Sequence, residues 1–229
     1  MANEAQRRGH GLHPRAEMAE VVTHERPELL VLCGIAGILG SLGPVLTIVW
    51  AASVNQHDFV ADTISDLARG PKAWIMDTGF YVHAAGLLGL SIAAAHAHLG
   101  RVGWSLGIFC LALLALNVTL LGIWDEFGAT ADSEGLSVHT KLSFGLGPLF
   151  LAGPLLMSQG ARGIRNLYGN LFIASSVLWL AFAAAFKLSP NGYDGLFEKV
   201  AVVFTMLWTV PLGMMFTARG LERRHRLIG

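Results

Sequence analysis

Six stretches of this chain stay predominantly apolar for twenty or more residues, with short polar breaks between them. Nothing else in the sequence restricts the fold as strongly. A bilayer core takes about 20 apolar residues in helical form, whereas a spanning strand needs only about 10. In hydrocarbon every backbone polar group must be satisfied within the protein, so runs of this length are read as helices. The spans are placed at Leu29–Ser53, Trp74–Leu99, Val102–Trp124, Leu136–Ser158, Leu167–Phe186 and Leu196–Phe216. Charged residues make up 14% of the chain, against about 25% in soluble domains, which again points to lipid as the solvent. The expected fold is all-α, an integral membrane bundle of six transmembrane helices with a short amphipathic surface helix after the first span.

Three segments follow: a polar tail over 1–28, the six-helix domain over 29–218, and a basic tail over 219–229. The polar first segment predicts no cleavable leader. Six spans bring both termini to one side of the bilayer. With that side cytoplasmic, eleven of the sixteen basic residues lie inside, as the positive-inside rule favours. The expected location is therefore the cell membrane, multi-pass, with both termini cytoplasmic. Ten of the sixteen acidic residues then face outward, among them Asp125, Glu126, Asp132 and Glu134 in the third loop. A formal net charge of zero argues against a nucleic-acid partner, which would call for a basic patch. Cys33 and Cys110 both fall inside apolar runs and are read as small core residues. Gly34, Gly37, Gly40 and Gly43 recur every three residues in the first span, a strip suited to close helix approach. Trp50, Trp74, Trp104 and Trp124 lie near span ends, where amphipathic rings favour the headgroup zone.

The polar chemistry gathers in the loop after the first span. Phe59, Val60, Ile64 and Leu67 recur at helical spacing over 57–71, and Gly70-Pro71 ends the pattern. Asp62 and Asp66 stand four apart, which on a helix puts both carboxylates on one face. Two such carboxylates repel unless a cation, a proton or a basic partner lies between them; Arg69 and Lys72 are near enough in sequence to serve. His83 lies nine residues into the second span, roughly 13 Å along the helix. An ionisable group at that depth points into the bundle or into a wet cavity. A hydrogen bond from Asn117 or Tyr81 would satisfy it. His139 leads the fourth span and Glu198 the sixth.

The order of motifs resembles a known family. TISDL follows the first span, then come Pro71 and a second span reading WIMDTGFYVHAAGLLGLS. A fourth span SVHTKLSFGLGPLFLAG follows, and GLFEK opens the sixth. This is similar to the bacterial and archaeal six-span family catalogued as domain of unknown function 998 (DUF998), over about residues 30–218. On that resemblance Asp62, Ser65, Asp66, Leu67, Gly79, Gly86, His139, Gly195, Leu196 and Glu198 match recurrent family positions. Lys199 stands where the family more often has Arg. The resemblance implies no activity.

The expected function is binding of a small ligand or lipid headgroup in an outward-facing polar pocket, with Asp62, Asp66, His83, His139 and Glu198 as ligand-binding residues and the 57–71 segment as roof. Two alternatives stay open. One is a metal-dependent intramembrane hydrolase, with His83 and His139 as weak metal candidates, since no HExxH or other compact ligand motif is present. The other is transport of a proton or small solute, suggested by His83 and by the prolines inside the spans. The glycine-rich faces also suit a helix–helix protein partner. No sequence feature specifies a cofactor.

Overall fold

A computed structural model describes residues 25–124, 137–190 and 192–228. The acidic residues Asp125, Glu126, Asp132 and Glu134, and most of the polar tail over 1–28, lie outside the described residues. Seven helices are present among those residues: α1 (Pro27–Val54), α2 (Ile64–Leu67), α3 (Trp74–Ala97), α4 (Val102–Ile123), α5 (Val138–Arg162), α6 (Asn166–Leu188) and α7 (Asp194–Ile228). All except α2 are long and apolar enough to cross a membrane. The six expected spans are thus six helices, with ends within a few residues of those expected everywhere but at the C-terminal end of α7. That helix continues through the basic segment over 219–228, where Arg219 and Arg223 both pair with Glu25 at 2.7 and 3.0 Å. The ion pairs bring the start of α1 and the last turns of α7 to the same end of the bundle.

The long helices form a ring. α1 packs on α3, α3 on α4, α4 on α5, α5 on α6, α6 on α7, and α7 returns to α1. Every neighbour in this order runs antiparallel. The half of the ring near the termini is filled by Trp208, Phe172, Phe216, Met157 and Leu212, each fully or almost fully buried. Leu32, Leu46, Leu106, Phe109 and Val177 point outward, as side chains facing lipid should. Lipid is as apolar as leucine, so the ring is held by close packing and interhelical hydrogen bonds and gains little from hydrophobic burial.

Both terms are visible. α1 and α3 meet through Gly40 and Gly86: a Cβ on Gly40 would stand 2.6 Å from Gly86 Cα. That contact uses the expected glycine strip, and α7 meets the same strip at Gly34. The hydroxyl of Ser175 donates to the Phe204 carbonyl at 2.8 Å, and that of Ser176 to Leu151 at 3.0 Å. Such bonds contribute about 0.6 kcal/mol each in membrane bundles. Trp50 and Trp74 pack edge-on with ring centroids 5.2 Å apart, at the α2 end. Trp104 departs from the expectation: it is buried against Gly160, and its indole N–H donates to the Ala94 carbonyl at 2.9 Å. A ring that can satisfy its one donor on a neighbouring backbone carbonyl does not need the headgroup zone.

Candidate functional site

The 55–73 connection folds by hydrogen bonds of its own aspartates. Asp58 Oδ1 accepts from the N–H groups of Val60 and Ala61 at 2.9 and 3.2 Å, and Asp62 Oδ2 accepts from Asp58 N at 2.8 Å. Thr63 caps α2, and Asp66 Oδ2 accepts from both the N–H and the hydroxyl of Thr63, a reciprocal capping box. Short polar side chains that capture nearby N–H groups compete with helix formation. The surface helix expected over 57–71 is therefore a four-residue helix, Ile64–Leu67, between turns. Ile64 and Leu67 are buried, whereas Phe59 and Val60 are exposed.

Helix α7 holds this segment down. Lys199, only 4% exposed, sends its ammonium to the carbonyls of Phe59 at 3.2 Å and Asp62 at 2.5 Å, and to Gly195 on its own helix. Leu196 N donates to the Val60 carbonyl at 2.9 Å, and Glu198 Oε2 accepts from Ile64 N at 2.6 Å. Gly195 lies so close to the Asp62 carbonyl that any Cβ there would collide with it. The fourth tie is to α5: Ser65 Oγ lies 3.1 Å from His139 Nε2. The TISDL and GLFEK motifs are thus the two halves of one joint. The sequence had not revealed the role of Lys199; the signal available was a lone basic residue one turn into an apolar span, opposite a loop rich in carbonyls.

Beneath the joint lies a cavity of about 430 Å³ lined by all six long helices and by α2. Its walls are mainly apolar, with Ile48, Met76, Phe80, Phe150, Trp179 and Val202 among them. Polar groups reach it from Ser65, Arg69, His83, His139, Lys187 and Glu198. Arg69 and Lys187 are exposed residues, so they mark where the cavity meets the surface. Three of the five expected site residues, His83, His139 and Glu198, therefore line one space. Asp62 and Asp66 do not line it, because their carboxylates are engaged in the turn and the cap. Nor is the space the polar pocket expected; it is an apolar chamber with a polar end.

His83 has neither of the expected partners. Asn117 donates to the Leu142 carbonyl at 3.1 Å and Tyr81 to the Gly122 carbonyl at 2.8 Å. His83 Nδ1 lies 3.0 Å from the Gly40 carbonyl. Among the described residues no three His, Cys, Asp or Glu side chains converge in a way that could hold a metal ion. What the arrangement can do chemically is offer hydrogen-bond donors and acceptors to a polar group at one end of an apolar guest.

The electrostatics of the joint belong to the loop. Burial pushes the His57 imidazole below its usual 6.5, and the Lys199 charge acts in the same direction, against the opposite pull of Asp62, Asp66 and Asp58. His57 is thus neutral at pH 7, and its 3.6 Å approach to Asp62 is not an ion pair there. Desolvation raises Asp66, but hydrogen bonds from Thr63 and the Arg69 charge outweigh it, leaving the carboxyl below its ordinary range. Asp58 is lowered chiefly by the N–H groups of Val60 and Ala61.

An all-helical ring with six spanning helices defines a multi-pass membrane protein. The family model described as "Protein of unknown function (DUF998)" matches residues 38–215, and the chain belongs to this family. No curated protein and no solved structure matches the chain.

Proposed function

We propose that this protein binds a small amphiphilic ligand, a lipid or a molecule like one, in the cavity under α2. The apolar body would lie among the helices and the polar head at the α2 end. The carrying observation is the chamber itself: about 430 Å³, inside the range of small-molecule sites, mostly apolar with a few convergent polar groups. Charge distribution supports cytoplasmic termini and an α2 end facing outward. His139 and Glu198 then combine two tasks, holding the roof and presenting polar atoms to the head.

Native mass spectrometry of protein released from mild detergent tests the reading. A stoichiometric retained lipid-sized mass is expected in the wild type. It should be lost in Ala183→Trp, which fills the chamber from α6. Bare wild-type protein under conditions that keep the bundle folded would refute the reading.

A further inference from the structure

Pro44 lies inside α1, and proline has no N–H to give the carbonyl four residues back. That carbonyl belongs to Gly40, and it is the one that His83 Nδ1 reaches at 3.0 Å. A carbonyl oxygen can only accept, so the proton of this hydrogen bond sits on Nδ1. The contact is possible because Gly40 and Gly86 let α1 and α3 approach closely, one helical turn beyond His83. Pro44 thus opens an acceptor in α1 and His83 fills it, which fixes both the ring orientation and the tautomer.

His83 is 8% exposed and lines the cavity. Gly40 takes Nδ1, and Nε2 has no hydrogen-bond partner among the described residues, which leaves it for a guest in the chamber. With Nδ1 carrying the proton, Nε2 of the neutral ring is an acceptor only. A charged ring at that depth would be costly, and its one hydrogen bond among the described residues is to a neutral carbonyl. We infer that His83 is the selecting group of the cavity, and that the ligand donates a hydrogen bond to Nε2 from a neutral hydroxyl. Resting on the binding reading above, this narrows the ligand class to amphiphiles that carry a neutral hydroxyl on the body, deeper than the head held at the α2 end; a simple alcohol supplies that hydroxyl as a probe. An ammonium donor would bring an unpaired charge to the level of His83, whereas Glu198 stands only about 6 Å into α7, near the roof. A hydroxyl brings one donor and no charge.

The test uses 10-bromo-1-decanol and its methyl ether on the full chain in nanodiscs. Bromine quenches the cavity residue Trp179, assigned by difference from Trp179→Phe, and reports entry. The ¹⁵N resonances of the His83 ring, assigned with His83→Gln, report the hydrogen bond. Three results are expected. The ring is protonated at Nδ1; the alcohol quenches at roughly three- to tenfold lower concentration than the ether, the range of one neutral hydrogen bond; and only the alcohol moves the Nε2 resonance. In Pro44→Ala the Gly40 carbonyl regains its helical donor, the tautomers mix, and the preference falls towards one. A ring protonated at Nε2, or equal quenching by both probes with Nε2 unmoved, overturns the inference while the cavity remains a binding site. Quenching by neither probe overturns both readings.

Discussion

Replacing Lys199 with Met tests whether α7 holds the roof. The ammonium makes two hydrogen bonds to the loop, to the Phe59 and Asp62 carbonyls. Hydrogen bonds to a charged group contribute about 1.5–3 kcal/mol each. Burying the ammonium costs desolvation, so the low end applies and the pair is worth about 3 kcal/mol. Methionine keeps the length of the side chain and leaves both carbonyls without a donor. At about 1.4 kcal/mol per tenfold, local opening should rise roughly 150-fold. Hydrogen exchange in nanodiscs reads this directly, because the amides of Asp62, Ile64, Asp66 and Ala68 are all hydrogen-bonded in the closed roof. Their exchange should accelerate by about two orders of magnitude, while core amides of α4 and α5 stay unchanged. Lys199→Arg, which keeps the charge, should recover much of the protection. Unchanged exchange over 57–68, or an equal rise throughout the bundle, would mean that Lys199 does not hold the roof.

Acidification should loosen the same segment in two stages. His57 has its folded pKa depressed below 6.5, so its contribution to stability is complete above pH 6.5 and is lost progressively as pH falls below that value. Asp58 and Asp66, both lowered from 3.8, keep their contribution above about pH 3.8 and lose it as pH falls through their depressed values. Limited proteolysis over 57–68 against pH should show both stages, and His57→Gln should remove the upper one. Separately, Gly86→Val should destabilise the bundle by about 1–3 kcal/mol or more in a thermal assay in detergent. Its Cβ would meet the Gly40 Cα at 2.7 Å and the Ala36 carbonyl at 2.9 Å, backbone atoms that cannot turn aside. Gly147→Ala, whose Cβ would meet only Trp179 at 3.6 Å, should be close to neutral.

The six helices were legible because span length is a property of the solvent: a bilayer requires about 20 apolar residues whatever the helices do next. The glycine strip of α1 was legible for a related reason, since small residues at helical spacing can only serve close approach. The loop was misjudged where two uses of aspartate compete. Spacing alone put Asp62 and Asp66 on one helix face; the structure uses both to capture N–H groups, ending the helix they would have shared. The C-terminal extension of α7 was hidden because its arginines look like the end of a span, and Glu25 far away in sequence is what receives them. His139 and Glu198 were legible as polar residues leading the fourth and sixth spans, but their tie to α2 depends on tertiary contacts between residues more than 70 positions apart. The partner of His83 could have been read in advance. Pro44 deprives Gly40 of its donor, and a histidine on a span rich in glycine is a natural replacement.

Photo-crosslinking in the membrane shows whether the chamber is occupied. A diazirine-bearing fatty alcohol, irradiated with the wild-type protein in nanodiscs, should mark Met76, Phe80 and Val202 on the cavity wall. An excess of unlabelled alcohol should suppress those adducts. Adducts confined to outward residues such as Leu46, Leu106 and Phe109, and insensitive to competitor, would contradict a binding role for the cavity.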